Sequence, residues 1–359
     1  MFDKRHYVPI LKWKQGEQKA IELLPLTVKQ GLTPLLEIPP IDWDFENEAP
    51  KKTIDEHLAN VSETLSRSWG LDRPLYLDLN FIESNERMAS GQHPLGYIFN
   101  QLRTDGINAI PVTGTNRDSA YQIEVISVHQ RDQLGICIRL TEEDFDDLQV
   151  NIDSLLTTLG VDTTEIDLVI DYKYVNPNDR TRTALFISGL INGLPYLNSW
   201  RNLILCGTAF PKDLSDVGSN TIDQIERSEW IIWKRLIQTN RVNRTLTFGD
   251  YAIANPEPFE ADPRLIRMSA NIRYTGDDKF IIFKGRDLRK YGHNQYYQLA
   301  AQAVAHQEYK GAGFSAGDHY IQEVANQSTT PGNPATWRRA GTNHHLTLVV
   351  NELSTVALP

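Results

Sequence analysis

The sequence is short of the features that announce a secreted, membrane-spanning or motif-driven protein. Its 359 residues contain only two cysteines, Cys137 and Cys206, with no CxxC pair. Both sit in β-prone runs, so buried thiols are expected, and a pair of them fits a reducing cytoplasm. No apolar run approaches the roughly 18 to 20 residues that cross a bilayer, and the first residues carry no small-residue cleavage pattern. A cytoplasmic protein without membrane contact is expected. The chain also lacks a GxGxxG between strand and helix, a GxSxG elbow and an HExxH pair, while GAGFSAGD near the C-terminus lacks the GK[ST] ending of a P-loop. Positive charge is scarce as well. With 36 Lys+Arg against 46 Asp+Glu the formal net charge is −10, which argues against an extended nucleic-acid surface, since such binding is largely phosphate neutralisation. A local basic pocket for a small anion stays open.

What the chain does have is a repeated strand pattern. In Pro74 to Asn80, Leu75, Leu77 and Leu79 alternate with Tyr76, Asp78 and Asn80, so an apolar face ends beside a carboxylate. The same pattern is read at Val8–Lys14, Thr33–Ile38, Ala109–Thr113, Gly135–Leu140, Asp167–Lys173, Asn202–Thr208 and Thr245–Ile253, with helical spacers between. Eight strand–helix pairs predict a closed parallel (β/α)8 barrel of the TIM type; an open doubly wound sheet is the runner-up. Gln15–Gln30 reads as a helix that Pro25 interrupts, Ile222–Gln238 as a helix with an aromatic core stripe, Asn271–Arg286 as a hairpin inserted near the last strand, and Gln295–His306 as the closing helix. Residues 1–310 form the barrel in this reading. Residues 311–359 are a C-terminal extension packed on it as lid or wall.

Several stretches carry a family resemblance. FGDYAI at Phe248 to Ile253, SANIRYT at Ser269 to Thr275, YGHNQYYQLA at Tyr291 to Ala300, FSAGDHYI at Phe314 to Ile321 and TWRRAGTNHHL at Thr336 to Leu346 resemble the beta protein family of phages and bacteria, as does YVPILKWKQGE followed by PLLEIPP near the start. The resemblance implies a setting in phage–host conflict, as phage-encoded or antiviral protein. It carries no catalytic assignment, so the chemistry is argued from the residues.

In a barrel, Lys12, Lys14, Glu37, Asp78, Asn80, Arg139, Asp171 and Lys173 meet at the C-terminal mouth, where barrel enzymes hold their sites. Glu37, Asp78 and Asp171 are candidates to hold Mg²⁺, with Lys12, Lys14 and Arg139 neutralising a phosphate, which suits phosphoryl or phosphodiester chemistry. A lysine crowded by cations, such as Lys12, is a candidate base or nucleophile. Salt-bridged packing is the alternative use of the same charges. A second basic group, Arg264, Arg267, Arg273, Lys284, Arg286, Arg289 and His293, lies where barrels place phosphate sites, between the last strand and the last helix. The third comprises Trp337, Arg338, His344 and His345. One imidazole turned inward is expected there as acid, base or phosphate donor, with Arg338 beside it in the cavity. The resulting expectation is a phosphorylated, nucleotide-type ligand at the mouth, bound by a phosphodiesterase-like hydrolase or by a sensor or scaffold that serves a partner protein.

Overall fold

The computed structural model describes residues 2, 5–239, 241–257 and 267–356. Eight parallel strands close a barrel: β1 (Tyr7–Lys12), β2 (Leu35–Glu37), β3 (Leu75–Asp78), β4 (Ala109–Thr113), β5 (Ile136–Leu140), β6 (Ile166–Tyr174), β7 (Asn202–Thr208) and β9 (Thr247–Asp250), the last pairing with the first. Alternation decides what each strand shows to either side. Val8, Ile10, Leu35, Tyr76, Val112, Cys137, Val169 and Cys206 fill the barrel, and Leu36, Leu75, Leu77, Ile138 and Leu168 face the helices around it. Both cysteines are free and buried, as their neighbours in sequence suggested.

Two readings of the spacers need correction. Pro25 does break the first one, into helices Gln15–Glu22 and Leu26–Gln30. The helix expected over Ile222–Gln238, however, begins only at Ser228, because Thr221–Glu226 is an antiparallel strand, β8, laid along β11 (Lys279–Asp287). With β10 (Ser269–Thr275) these make a second sheet, ordered β8-β11-β10, and the expected hairpin is its β10–β11 half. Helix Gln295–Val304 covers this sheet through Tyr296, Leu299, Ala300 and Ala303, so it does not close the barrel.

Closure falls to a 22-residue helix, Pro334–Thr355, which packs against the first helix and β1 and adds Leu346, Val349 and Leu353 to the barrel core. Close approach is written into glycines. A Cβ on Gly16 would stand 2.8 Å from Arg338 Cγ, and one on Gly341 would stand 2.7 Å from the Arg273 carbonyl oxygen. The chain between β9 and this helix, which holds β10 and β11, is therefore one long insertion in the last strand–helix connection, and β8, from the connection before β9, completes its sheet.

Two buried histidines stitch that insertion to the barrel. His344 Nδ1 faces Asp318 Oδ2 at 2.8 Å and its Nε2 faces the Thr275 carbonyl at 2.8 Å. His345 Nε2 lies 2.9 Å from Asp250 Oδ2 on β9, and its Nδ1 lies 2.9 Å from the Thr275 hydroxyl. Tyr7 on β1 donates to the other Asp250 oxygen. All of these side chains are buried. Burial pushes His345 below the ordinary histidine value; Asp250, which burial alone would raise, is held below the carboxylate range by His345 and the Tyr7 hydroxyl.

This arrangement fixes a pH dependence. At the His345 site the folded state binds fewer protons than the unfolded chain once pH falls below roughly 6.5, the free histidine value, because burial makes His345 resist protonation. Its contribution to stability is full above that pH and falls as acid is added, with Asp250 adding a further loss at lower pH, whereas burial raises Glu37, Glu229 and Glu352, which act in the opposite sense. Urea midpoints of wild type and His345→Gln from pH 7.5 to 5 isolate the contribution: wild type should lose more stability with acid than the variant does. Removing either partner outright, as in His344→Ala or His345→Ala, is expected to cost about 3–5 kcal/mol, the loss typical of a broken buried pair.

Candidate functional site

The charged residues expected at the mouth divide into two layers. In the lower one, Arg139 on β5 is gripped by three carboxylates from three other strands. Its Nη1 donates to Glu37 Oε1 at 2.8 Å and Asp78 Oδ2 at 2.9 Å, its Nε and Nη2 to Asp171 Oδ2 at 2.9 and 2.8 Å, and Nη2 also to the Tyr251 hydroxyl at 2.7 Å. Glu37, Asp78 and Asp171 are at most 1% exposed and line none of the cavities. Burial would lower Arg139, but Tyr251 and the carboxylates hold it well above the ordinary arginine value. Glu37 is raised by burial, and its Oε2 has no partner among the described residues.

This donor set does not suit Mg²⁺. The point on which the three carboxylates converge is taken by a guanidinium, and among the described residues no group of His, Cys, Asp or Glu is placed to hold a metal ion. The expected metal-binding and catalytic roles of Glu37, Asp78 and Asp171 therefore give way to a salt-bridged plug across the barrel axis. Lys173, beside it, donates its backbone N–H to Asp171 Oδ1 and lines no cavity.

The upper layer is a cleft of about 1060 Å³. Its walls come from the ends of β1 and β2, the loop through Trp43 and Phe45, the segment after β3, and the first turn of the closing helix. Lys12, Lys14, Arg273 and Arg338 line it, as the sequence reading placed them. Three of these cations are gathered by backbone carbonyls of one segment after β9. Lys12 Nζ donates to the Asn255 and Glu257 oxygens at 3.2 and 2.8 Å, while Arg273 and Arg338 both donate to the Ile253 oxygen, at 2.9 and 3.0 Å. Arg273 has no carboxylate within ion-pair reach among the described residues, and Arg338 has only Glu17 at 3.8 Å. Burial, then the neighbouring Arg338, pushes Arg273 well below the ordinary arginine value; burial likewise lowers Lys12. Arg273 is thus the reverse of Arg139.

Other expected ligand residues lie elsewhere. Lys284 is buried and its ammonium is consumed by the Leu214 and Val217 carbonyls, because β11 faces the β7 connection there. Arg286 stacks on Tyr291 at the exposed end of β11, and His293 sits exposed near Tyr296 in the turn before helix Gln295–Val304, both outside the cleft. Arg267 and Arg289 are exposed, and Arg264 falls outside the described residues. His344 and His345 are interior to the closing helix and reach no cavity, so only Arg338 of that group faces the cleft. Asn80 lines a neighbouring cavity together with Arg117 and His93, two residues the sequence reading passed over. The position of Arg117 just past β4 was the available signal; His93 instead caps helix Pro94–Thr104.

The family model described as Beta protein matches residues 7–351, from β1 to the last turns of the closing helix. The chain belongs to the Beta protein family. No curated protein matches it. Among solved structures it is similar to triosephosphate isomerase from Bartonella henselae, at 12% identity over 69% of this chain and 93% of that one, with a TM-score of 0.36. A mutant tryptophan synthase alpha-subunit from Pyrococcus furiosus is similar at 14% identity over 70% and 88%, TM-score 0.39. The catalytic module of a family 98 glycoside hydrolase from Streptococcus pneumoniae is similar at 12% over 70% and 47%, TM-score 0.40.

The plug has a direct test. Arg139→Ala leaves Glu37 and Asp171 without an ion-pair partner among the described residues and Asp78 with Arg117 alone, and should cost about 3–5 kcal/mol of stability; Arg139→Lys, which cannot fork to several carboxylates, should lose part of it. If the Lys variant melts like wild type, the guanidinium geometry is not what holds this layer together.

Proposed function

We propose that the cleft of this Beta protein family member recognises a phosphorylated ligand of nucleotide type. The observation that carries the reading is the pair Arg273 and Arg338, two guanidiniums meeting at one carbonyl oxygen with Lys12 beside them and no carboxylate on Arg273. Carbonyl oxygens orient such groups without cancelling their charge, so a phosphate placed between them supplies the missing partner. The uncapped start of helix Gln15–Glu22 adds backbone donors on the same wall. A planar base has its own platform: Trp43 and Phe45 are 46% and 40% exposed, and Phe81 lies under the Lys12 ammonium at 5.9 Å.

Recognition without turnover is the form the geometry supports best, since Glu37, Asp78 and Asp171, the groups suited to phosphoryl chemistry, are committed to Arg139. We set this recognition in phage–host conflict, with a partner protein as effector, on the setting that the family resemblance implies.

Calorimetry with ADP, UDP and pyrophosphate checks the reading. Arg273→Ala and Arg338→Ala should each weaken all three by about 10- to 100-fold, the worth of a charge-assisted hydrogen bond. Trp43→Ala should weaken the nucleotides by ~1–3 kcal/mol and leave pyrophosphate unchanged. Folded variants that bind as wild type does would overturn the reading. In cells, Arg273→Ala should give the same phage plaque counts as deletion of the gene.

A further inference from the structure

A second cavity, of about 610 Å³ and within the usual size of small-molecule sites, adjoins the cleft. Pro40, Phe81, Ile82 and Glu83 line both, so a single ridge separates them. Its chemistry is different. Arg117 forms one wall, its side chain 9% exposed, and its Nη2 donates to Asp78 Oδ1 at 3.0 Å. Its Nη1 donates to Asn116 Oδ1 at 2.9 Å and to Asn80 Oδ1, and its buried Nε has no partner among the described residues.

That grip has consequences for the residues around it. With both amide oxygens turned to the guanidinium, the amide nitrogens of Asn80 and Asn116 have no partner among the described residues and remain as donors. His93 Nδ1 accepts the Leu95 backbone N–H at 3.1 Å, which leaves the neutral ring's proton on Nε2, a further donor; burial keeps this histidine below its ordinary value. Acceptors face them. Asp118 uses Oδ1 to cap helix Ser119–Asp132 and keeps Oδ2, and the Glu83 carboxylate stands on the ridge.

A second phosphate does not match this lining. The charge of Arg117 is met by Asp78, in contrast to Arg273, and the Asp118 carboxylate, which lines this cavity and not the cleft, would repel an anion. Alternating donors and acceptors beside an aromatic ring instead match a neutral group rich in hydroxyls. We propose that the second cavity is a subsite for a sugar, a pentose or hexose carried by the ligand whose base and phosphates lie in the cleft, which makes that ligand a nucleoside diphosphate sugar. The inference rests on the function proposed above.

Calorimetry on the full chain with ADP, ADP-glucose, UDP and UDP-glucose separates the two. In at least one series the sugar-bearing form should bind about tenfold more tightly than its parent diphosphate, a gain of about 1.4 kcal/mol. Ser84→Phe, which fills the second cavity from an exposed position, should abolish that gain, and Asn116→Ala should reduce it, with diphosphate affinity unchanged in both. Equal affinity for diphosphate and sugar form in wild type, or a gain that survives Ser84→Phe in a cooperatively melting protein, overturns the subsite while leaving the cleft reading intact. Failure of all four probes to bind removes the cleft reading and the subsite with it.

Discussion

The guanidinium of Arg139 is the constraint on which the upper half of the barrel depends. It ties β5 to carboxylates on β2, β3 and β6, three strands that the chain lays down far apart in sequence. Such a bond set is unforgiving of register: in a strand, a slip of one residue turns each inward carboxylate outward. The pairing of Lys12 with Glu37 and of Glu37 with Asp78 across neighbouring strands is the register that brings these charges level. Burying four charges is expensive in itself, so the layer is better understood as specifying closure than as adding stability.

Sealing the axis moves any binding outward. The cleft lies above the plug and to one side, between the loops after β2 and β3 and the segment after β9. The long insertion makes this geometry fixed, because the closing helix contributes its first turn to the cleft while its middle is locked to β9 and β10 through His345 and His344. Directional hydrogen bonds do here what apolar packing alone does poorly: they select one docking angle for the second sheet, and with it the position of Arg273 on β10.

The barrel was legible because its strands alternate and end in charge, as Leu75 to Asp78 shows most clearly. The closing helix was not. Thr342, Asn343, His344, His345 and Thr347 are all buried, three of them on hydrogen-bond partners from other elements, so polar residues do not mark a solvent face for periodicity to reveal. Strand β8 was obscured for a related reason: Thr221–Glu226 runs straight into the apolar stripe of helix Ser228–Gln238, and only pairing with β11 makes it a strand. Of the cleft, Lys12, Lys14, Arg273 and Arg338 could be picked out by type and place. Whether a basic residue is turned into the interior, like Lys284, or lines the cleft, like Arg273, depends on which carbonyls and carboxylates the fold brings to it, and no local pattern encodes that.

Net charge then acts as a filter on the cleft. A chain at −10 repels long polyanions at distances of about one Debye length, near 8 Å at physiological salt. On the proposed reading, a small anion that reached Lys12, Arg273 and Arg338 would meet three cations in a partly buried wall, with Glu17, Asp42, Glu83, Glu86 and Glu257 lining the rest of the cleft. Three recessed cations among those carboxylates are too few to hold a nucleic-acid backbone. Selectivity for size would then need no dedicated gate, since it would follow from setting a few cations inside an acidic cleft.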